Sequence, residues 1–154
     1  MAIGVALLAD HPDAVDALAA SYEREWAHWY GAGRHGCART DLMQRMNRDT
    51  LPLGLVAFDK AEPVGALALA GSAIRSHPHL SPAAIGLWVA PHLRRRGVAS
   101  QLLSAAAGQA RAMRYRHLYA ASGSAAGLFV GLGWSFLAAA NWDGEAVQVF
   151  HLDL

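Results

Sequence analysis

Val15, Leu18, Tyr22, Trp26 and Trp29 recur at steps of three and four residues, which predicts a helix over 13–30 with one apolar stripe. A short apolar strand over 3–8 precedes it, closed by Asp10, His11 and Pro12. Residues 31–36 are glycine-rich and break the pattern. Residues 40–47 predict a second, shorter helix capped by Thr40. Two apolar runs, 53–58 and 64–69, flank a polar turn over 59–63 and predict a hairpin. A polar loop over 71–82 carries His77, Pro78 and His79 before an apolar strand over 83–90 that ends at Pro91. A helix from 98 to about 114, a strand over 117–121 and a short helix over 124–132 follow. Gly133 breaks the last of these, and 134–154 predicts two strands turned at 141–144. The order β-α-α-β-β-β-α-β-α-β-β describes a mixed α/β fold around one sheet. No repeat or linker divides it, so 1–154 is expected to be one domain.

One junction in this pattern carries chemistry. Arg94, Arg95, Arg96, Gly97, Val98, Ala99 and Ser100 lie between the strand over 83–90 and the helix that follows. A strand, a tight loop and a helix N-terminus gather N–H groups into one hollow, and the helix dipole adds positive character there. Glycine lets the backbone approach a ligand closely, and Ala99 leaves room beside it. A pyrophosphate suits such a hollow.

Composition narrows the classes. The chain has 154 residues, 54% hydrophobic and 16% charged, as expected of a packed globular protein. Its formal net charge of +1 argues against a nucleic-acid binder using Arg94, Arg95 and Arg96. Cys37 is the sole cysteine and has no internal disulfide partner. No apolar run approaches the ~20 residues of a membrane span, and the acidic, unbasic N-terminal stretch does not read as a signal peptide. A soluble, cytoplasmic protein is expected, without membrane or nucleic-acid partners.

Three patterns are decoys. Gly31-Ala32-Gly33-Arg34-His35-Gly36 matches G-x-G-x-x-G, but a dinucleotide fingerprint needs a strand before it and a helix opening within it. His77 and His79 lack the cysteine or carboxylate neighbours of a metal site, so no metal is expected. Cys37 beside His35 does not define a nucleophile, since such groupings depend on geometry in space.

In its strand–loop–helix setting, Arg94-x-x-Gly97-x-Ala99 resembles the signature [Q/R]-x-x-G-x-[G/A] of the GNAT superfamily of acyl-CoA-dependent N-acyltransferases. The element order is similar to that family's over nearly the whole chain. A later family segment is recognisable over 122–134, where Ala125, Leu132, Gly133 and Trp134 fit. The resemblance implies a single GNAT-like domain, its mixed, mostly antiparallel central sheet flanked by helices. It implies acetyl-CoA as co-substrate, its pyrophosphate held by the N–H groups of Arg94 through Ser100. Main-chain groups near Leu87, Trp88 and Val89 would hold the pantetheine arm, one amide polarising the thioester carbonyl. Ser122 and Phe129 would also border the cofactor. The acceptor implied is a primary amine, on a small molecule or a peptide N-terminus, attacking directly in a ternary complex. A homodimer through the C-terminal strands is a further family trait.

The sequence departs from that pattern where protons move. Phe129 stands where many members carry a tyrosine that protonates the leaving thiolate, and Ser122 where an asparagine is common. The strand over 83–90 has no acid, although the family often has a glutamate there. An alkylammonium of pKa near ~10 must lose a proton before it attacks, so a base is needed. Glu25 is the first candidate: it lies seven residues from Leu18, between Tyr22 and Trp29, at the stripe's edge. The alternative is a surface carboxylate paired with Arg24 or Arg34. His79 is the second candidate, with a solvated loop residue as its alternative. Tyr22, Trp26, Trp29 and Tyr30 belong to the core or line the acceptor pocket. The competing reading is a non-catalytic acyl-CoA-binding or sensor domain, favoured by Phe129 and the missing glutamate.

Overall fold

The computed structural model describes residues 2–31, 33, 36–74, 76–142 and 144–154. Ala32, Arg34 and His35 of the glycine-rich segment, and Asp143 of the last turn, lie outside the described residues. The proposed Arg34 partner for Glu25 and the His35–Cys37 pairing fall there too.

Seven strands form one sheet in the order β1-β2-β3-β4-β5-β7-β6. They are β1 (Ile3–Leu7), β2 (Leu53–Asp59), β3 (Glu62–Ala70), β4 (Ala83–Val89), β5 (His117–Ser122), β6 (Ser135–Trp142) and β7 (Glu145–Asp153). Every pairing is antiparallel except β4 with β5. The helices are α1 (Val15–Glu25), α2 (Ala27–Tyr30), α3 (Ala38–Gln44), α4 (Val98–Ala112) and α5 (Ala126–Gly131). The predicted mixed, mostly antiparallel sheet with flanking helices is the observed fold.

Strand alternation explains why helices cover both faces. A Cβ on Gly65 of β3 would meet Val98 and Leu102 of α4. A Cβ on Gly54 of β2, on the opposite face, would meet Leu8 and Arg45. Leu53, Leu67, Leu69, Leu102, Leu103 and Leu118 are wholly buried between these layers. At roughly 1.5–3 kcal/mol per buried aliphatic side chain, such residues supply most of the driving force for folding.

Two helix predictions need correction. The long first helix is broken at Trp26, whose φ of −121° and ψ of 52° leave the helical region. The broken residue sets its indole edge-on to Tyr22, with ring centroids 4.9 Å apart. The start is also later than predicted, because Pro12–Ala14 form a separate 3-10 turn. The second helix begins at Ala38 behind Cys37, not at a Thr40 cap. Burial of Ala38 and Leu42 against the core sets its register, and no side-chain cap is present.

Candidate active site

The site begins with a fault in β4. Gly65 and Ala66 of β3 pair with Val89 and Trp88, yet Ala68 pairs with Ile85. Gly86 and Leu87 therefore stand opposite Leu67 alone, a β-bulge with Gly86 at φ 63°. Glycine is required twice over. The left-handed conformation disfavours a side chain, and a Cβ would lie 3.1 Å from Arg45 Nη1 and 3.2 Å from Tyr22 Oη. The Tyr22 hydroxyl pins the bulge by donating to the Gly86 carbonyl at 2.6 Å.

Beyond the bulge β4 and β5 part. Only Ala83 opposite Tyr119 and Ala84 opposite Ala120 are paired. The Ala90 N–H donates to Val64 O on the β3 side. By alternation Val89 and Leu87 turn their main-chain groups to the other edge, where no strand runs. Trp88 turns its main chain toward β3 and is buried in the core. The Val89 carbonyl accepts from Arg94 Nε at 2.9 Å, which leaves the Leu87 main chain open at the splay.

The basic loop follows. Arg95 and Gly97 adopt left-handed φ values of 63° and 87°, a backbone shape that turns successive N–H groups into one concavity. The first helical bond of α4 runs from the Gln101 N–H to Gly97 O. No described group accepts from the N–H groups of Arg95, Arg96, Gly97, Val98, Ala99 or Ser100. No side chain caps α4, and the Gly97 Cβ position faces open space. Arg95 and Arg96 are exposed and ion-paired with no described residue. Arg94 differs: its Nη2 donates to Glu25 Oε1 at 2.9 Å.

A cleft of about 570 Å³ opens beside the bulge. Glu25, Trp26, His28, Trp29 and Tyr30 form one wall. Asp41 and Arg45 lie next to them, with Ile85, Gly86 and Leu87 of β4 behind. Ser122, Phe129, Trp142 and Glu145 line the remainder. The Trp29 and Trp142 rings lie 5.2 Å apart. Tyr30 donates to Asp41 Oδ2 at 2.8 Å, and burial together with that carboxylate pushes its phenol above the ordinary range.

The structure thus gathers Glu25, Trp26, Trp29, Tyr30, Leu87, Ser122 and Phe129 around one cleft. Tyr22 is instead a core residue, 1% exposed, that supports the bulge from beneath. Glu25 pairs with Arg94 and, among the described residues, with no neighbour in sequence. His79 is exposed and does not line the cleft; its ring lies 5.9 Å from that of His77. Ser122 Oγ accepts from the Ser124 and Ala125 N–H groups and so shapes the start of α5. Phe129 is buried against Trp134 and Phe150. Cys37 is exposed and away from the cleft, its thiol drawn below the ordinary value by hydrogen bonding with Thr40.

Sequence reading passed over Gly86, Arg45 and Asp41. A lone glycine inside an apolar strand is a recognised sign of a bulge and could have found the first. Arg45 falls at the same helical spacing as buried Ala38 and Leu42, a cation on an apolar face. Asp41 carried no such mark, because its partner Tyr30 lies on another helix.

Residues 15–133 match the acetyltransferase (GNAT) family. No curated protein is recognisably similar in sequence. Among solved structures, an aminoglycoside 6'-N-acetyltransferase complexed with coenzyme A superposes with a TM-score of 0.76 at 12% identity, covering 99% of this chain and 97% of that one. YncA from Salmonella typhimurium, solved with its cofactor acetyl-CoA, gives 0.74 at 15% identity, with 99% and 94% covered. An N-acetyltransferase from Staphylococcus aureus Mu50 gives 0.74 at 15% identity, with 99% of each chain covered. These likenesses concern architecture, while the family match spans most of the sequence: the chain belongs to the acetyltransferase (GNAT) family.

Proposed function

We propose that this domain, spanning 1–154, transfers an acetyl group from acetyl-CoA to a primary amine on a small molecule or peptide N-terminus. The observation that carries this reading is the row of N–H groups from Arg95 to Ser100 without an acceptor among the described residues, set beside the splay of β4 from β5. Six amides in one loop, a helix dipole and two arginines ion-paired with no described residue fit a pyrophosphate. The open Leu87 main chain fits the amide-rich arm that would lie in the splay. When bound, acetyl-CoA supplies an activated carbonyl and a thiolate leaving group.

The chain's own residues then have three tasks. The loop amides hold the anionic end. The free edge of β4 orients the reacting end and offers an N–H where negative charge develops on the carbonyl oxygen. Glu25, by way of water, takes the proton of the attacking ammonium through Oε2, since Oε1 is engaged by Arg94. Direct attack in a ternary complex needs no covalent enzyme intermediate. Phe129 donates no proton, and none is essential, because a thiol of pKa about 8.5 leaves readily as thiolate.

Phe129 also supports a second reading, an acyl-CoA sensor without turnover. Among the described residues no helix is long and apolar enough to cross a membrane; we place the protein in the cytoplasm. Exposed Phe136 and Leu137 on edge strand β6 support pairing between two copies, which light scattering would register as a doubled mass.

Thermal denaturation with coenzyme A or acetyl-CoA tests the cofactor. At a hundred times Kd, binding adds about 2.7 kcal/mol, or roughly 5–10 °C for a domain of this size. No shift at saturation overturns both readings. Release of free thiol with a pooled set of amines establishes the enzyme, and a shift without release favours the sensor.

A further inference from the structure

We propose that Arg45 is the carboxylate receptor of the acceptor site, and that the acceptor is an α-amino acid. This deepens the reading given above and rests on it. Arg45 is 8% exposed and lines the cleft. No described carboxylate lies within ion-pair distance of it. Its guanidinium has five N–H donors; among the described residues one of them is hydrogen-bonded, from Nη1 to Tyr22 Oη at 3.5 Å. The Tyr22 ring lies beneath it, 5.9 Å from centroid to Cζ.

The root of this side chain is fixed. The Arg45 N–H donates to Leu42 O at 3.0 Å, and its carbonyl accepts from the Gly54 N–H at 2.9 Å. Among the described residues this largely buried guanidinium has no counter-ion, a costly arrangement for a fold, and none of its nitrogens is both sealed from solvent and unbonded. A ligand anion in the cleft would supply what the chain does not. Planar, forked donors match a carboxylate in two-point contact.

Two features narrow the ligand. The guanidinium abuts the β4 bulge, with Nη1 3.1 Å and Nη2 3.6 Å from the Gly86 Cβ position. The bulge is the stretch assigned to the reacting carbonyl, so the anion and the attacking amine are separated by a short link, as in an α-amino acid. Asp41, Glu25 and Glu145 also line the cleft. They oppose a dianionic phosphate and suit an ammonium beside a monoanion.

The test compares protein amino acids with the corresponding decarboxylated amines as acceptors, by thiol release. The expected result is a kcat/KM at least tenfold higher for the amino acid of the best pair. In Arg45→Lys and Arg45→Gln that ratio falls at least tenfold, chiefly through KM for the amino acid. Retained stabilisation by coenzyme A shows that each variant is folded. Tyr22→Phe, which removes the hydroxyl on Nη1 and keeps the charge, lowers the ratio less. A wild-type enzyme that prefers the decarboxylated amines overturns the proposal, as does a variant in which both substrates decline equally. Should no amine release thiol, the parent reading fails. The receptor is then read by binding: an amino acid that raises the Tm of the coenzyme A complex, where its amine does not, supports Arg45, and equal effects overturn it.

Discussion

Glu25 and Arg94 meet across sixty-nine positions of sequence, Nη2 to Oε1 at 2.9 Å, and tie the cleft wall to the basic loop. The same arginine donates through Nε to the last carbonyl of β4. One guanidinium therefore registers three parts of the site: α1, the end of β4 and the loop before α4.

Removing it should affect ligand binding more than folding. The two side chains are 42% and 35% exposed, where a pair contributes roughly 0–1 kcal/mol. Arg94→Ala should leave stability in urea within about 1 kcal/mol of wild type. It should raise KM for acetyl-CoA by about tenfold, the effect of losing about 1.4 kcal/mol of binding. An unchanged KM would mean that the loop holds its shape without this tie.

Glu25→Gln separates positioning from proton transfer. The amide oxygen can still accept from Arg94, but the side chain no longer takes a proton. With Glu25 as base, kcat should fall about 10²-fold, with KM for acetyl-CoA nearly constant. The acidic limb of the pH–rate profile should change shape. An untouched rate and profile would remove Glu25 from the proton route.

Gly86→Ala tests the bulge. The left-handed conformation costs an L-residue about 1–2 kcal/mol, and the added methyl would crowd Arg45 Nη1 and Tyr22 Oη. Urea denaturation should show at least that loss, together with weaker acceptor binding. Wild-type stability would show that the bulge relaxes to ordinary strand geometry.

Tyr22→Phe should cost about 1–2 kcal/mol near neutral pH, since it leaves the Gly86 carbonyl without its donor. Its alkaline behaviour is a second readout. Burial holds the folded phenol above its ordinary value of 10.0, the Arg45 guanidinium opposing in part. Above pH about 10 the unfolded chain sheds this proton while the folded chain keeps it, so stability falls as pH rises. Tyr30 is shifted in the same direction by burial and Asp41, so the variant should show a shallower decline and not a flat one. An identical slope in wild type and variant would contradict the burial argument.

The fold and the loop were legible because both are local. Apolar runs bounded by turn residues marked all seven strands, and Arg94-x-x-Gly97-x-Ala99 sits at a junction those runs define. The break at Trp26 was not legible, since its aromatic spacing fits a continuous helix until the ring contacts with Tyr22 are known. Nor was the partner of Glu25, because α1 meets the loop before α4 only after the sheet forms. Arg45 was hidden for another reason. Its spacing from Ala38 and Leu42 hinted at the apolar face, but a cation at a helix end ordinarily reads as solvated, and the close approach of β2 and β4 is what buries it.

The sparse joint between β4 and β5 bears on mechanics as well as on chemistry. Four strands lie on one side of it and three on the other, held edge to edge through Ala83, Ala84, Tyr119 and Ala120. Such a sheet is two plates on a short hinge. A guest lodged in the gap and touching both plates stiffens the hinge, so amide exchange should slow in β5 and β7 as well as in the loop that grips it. The seat proposed for the cofactor is also the most sparsely paired seam of the sheet among the described residues.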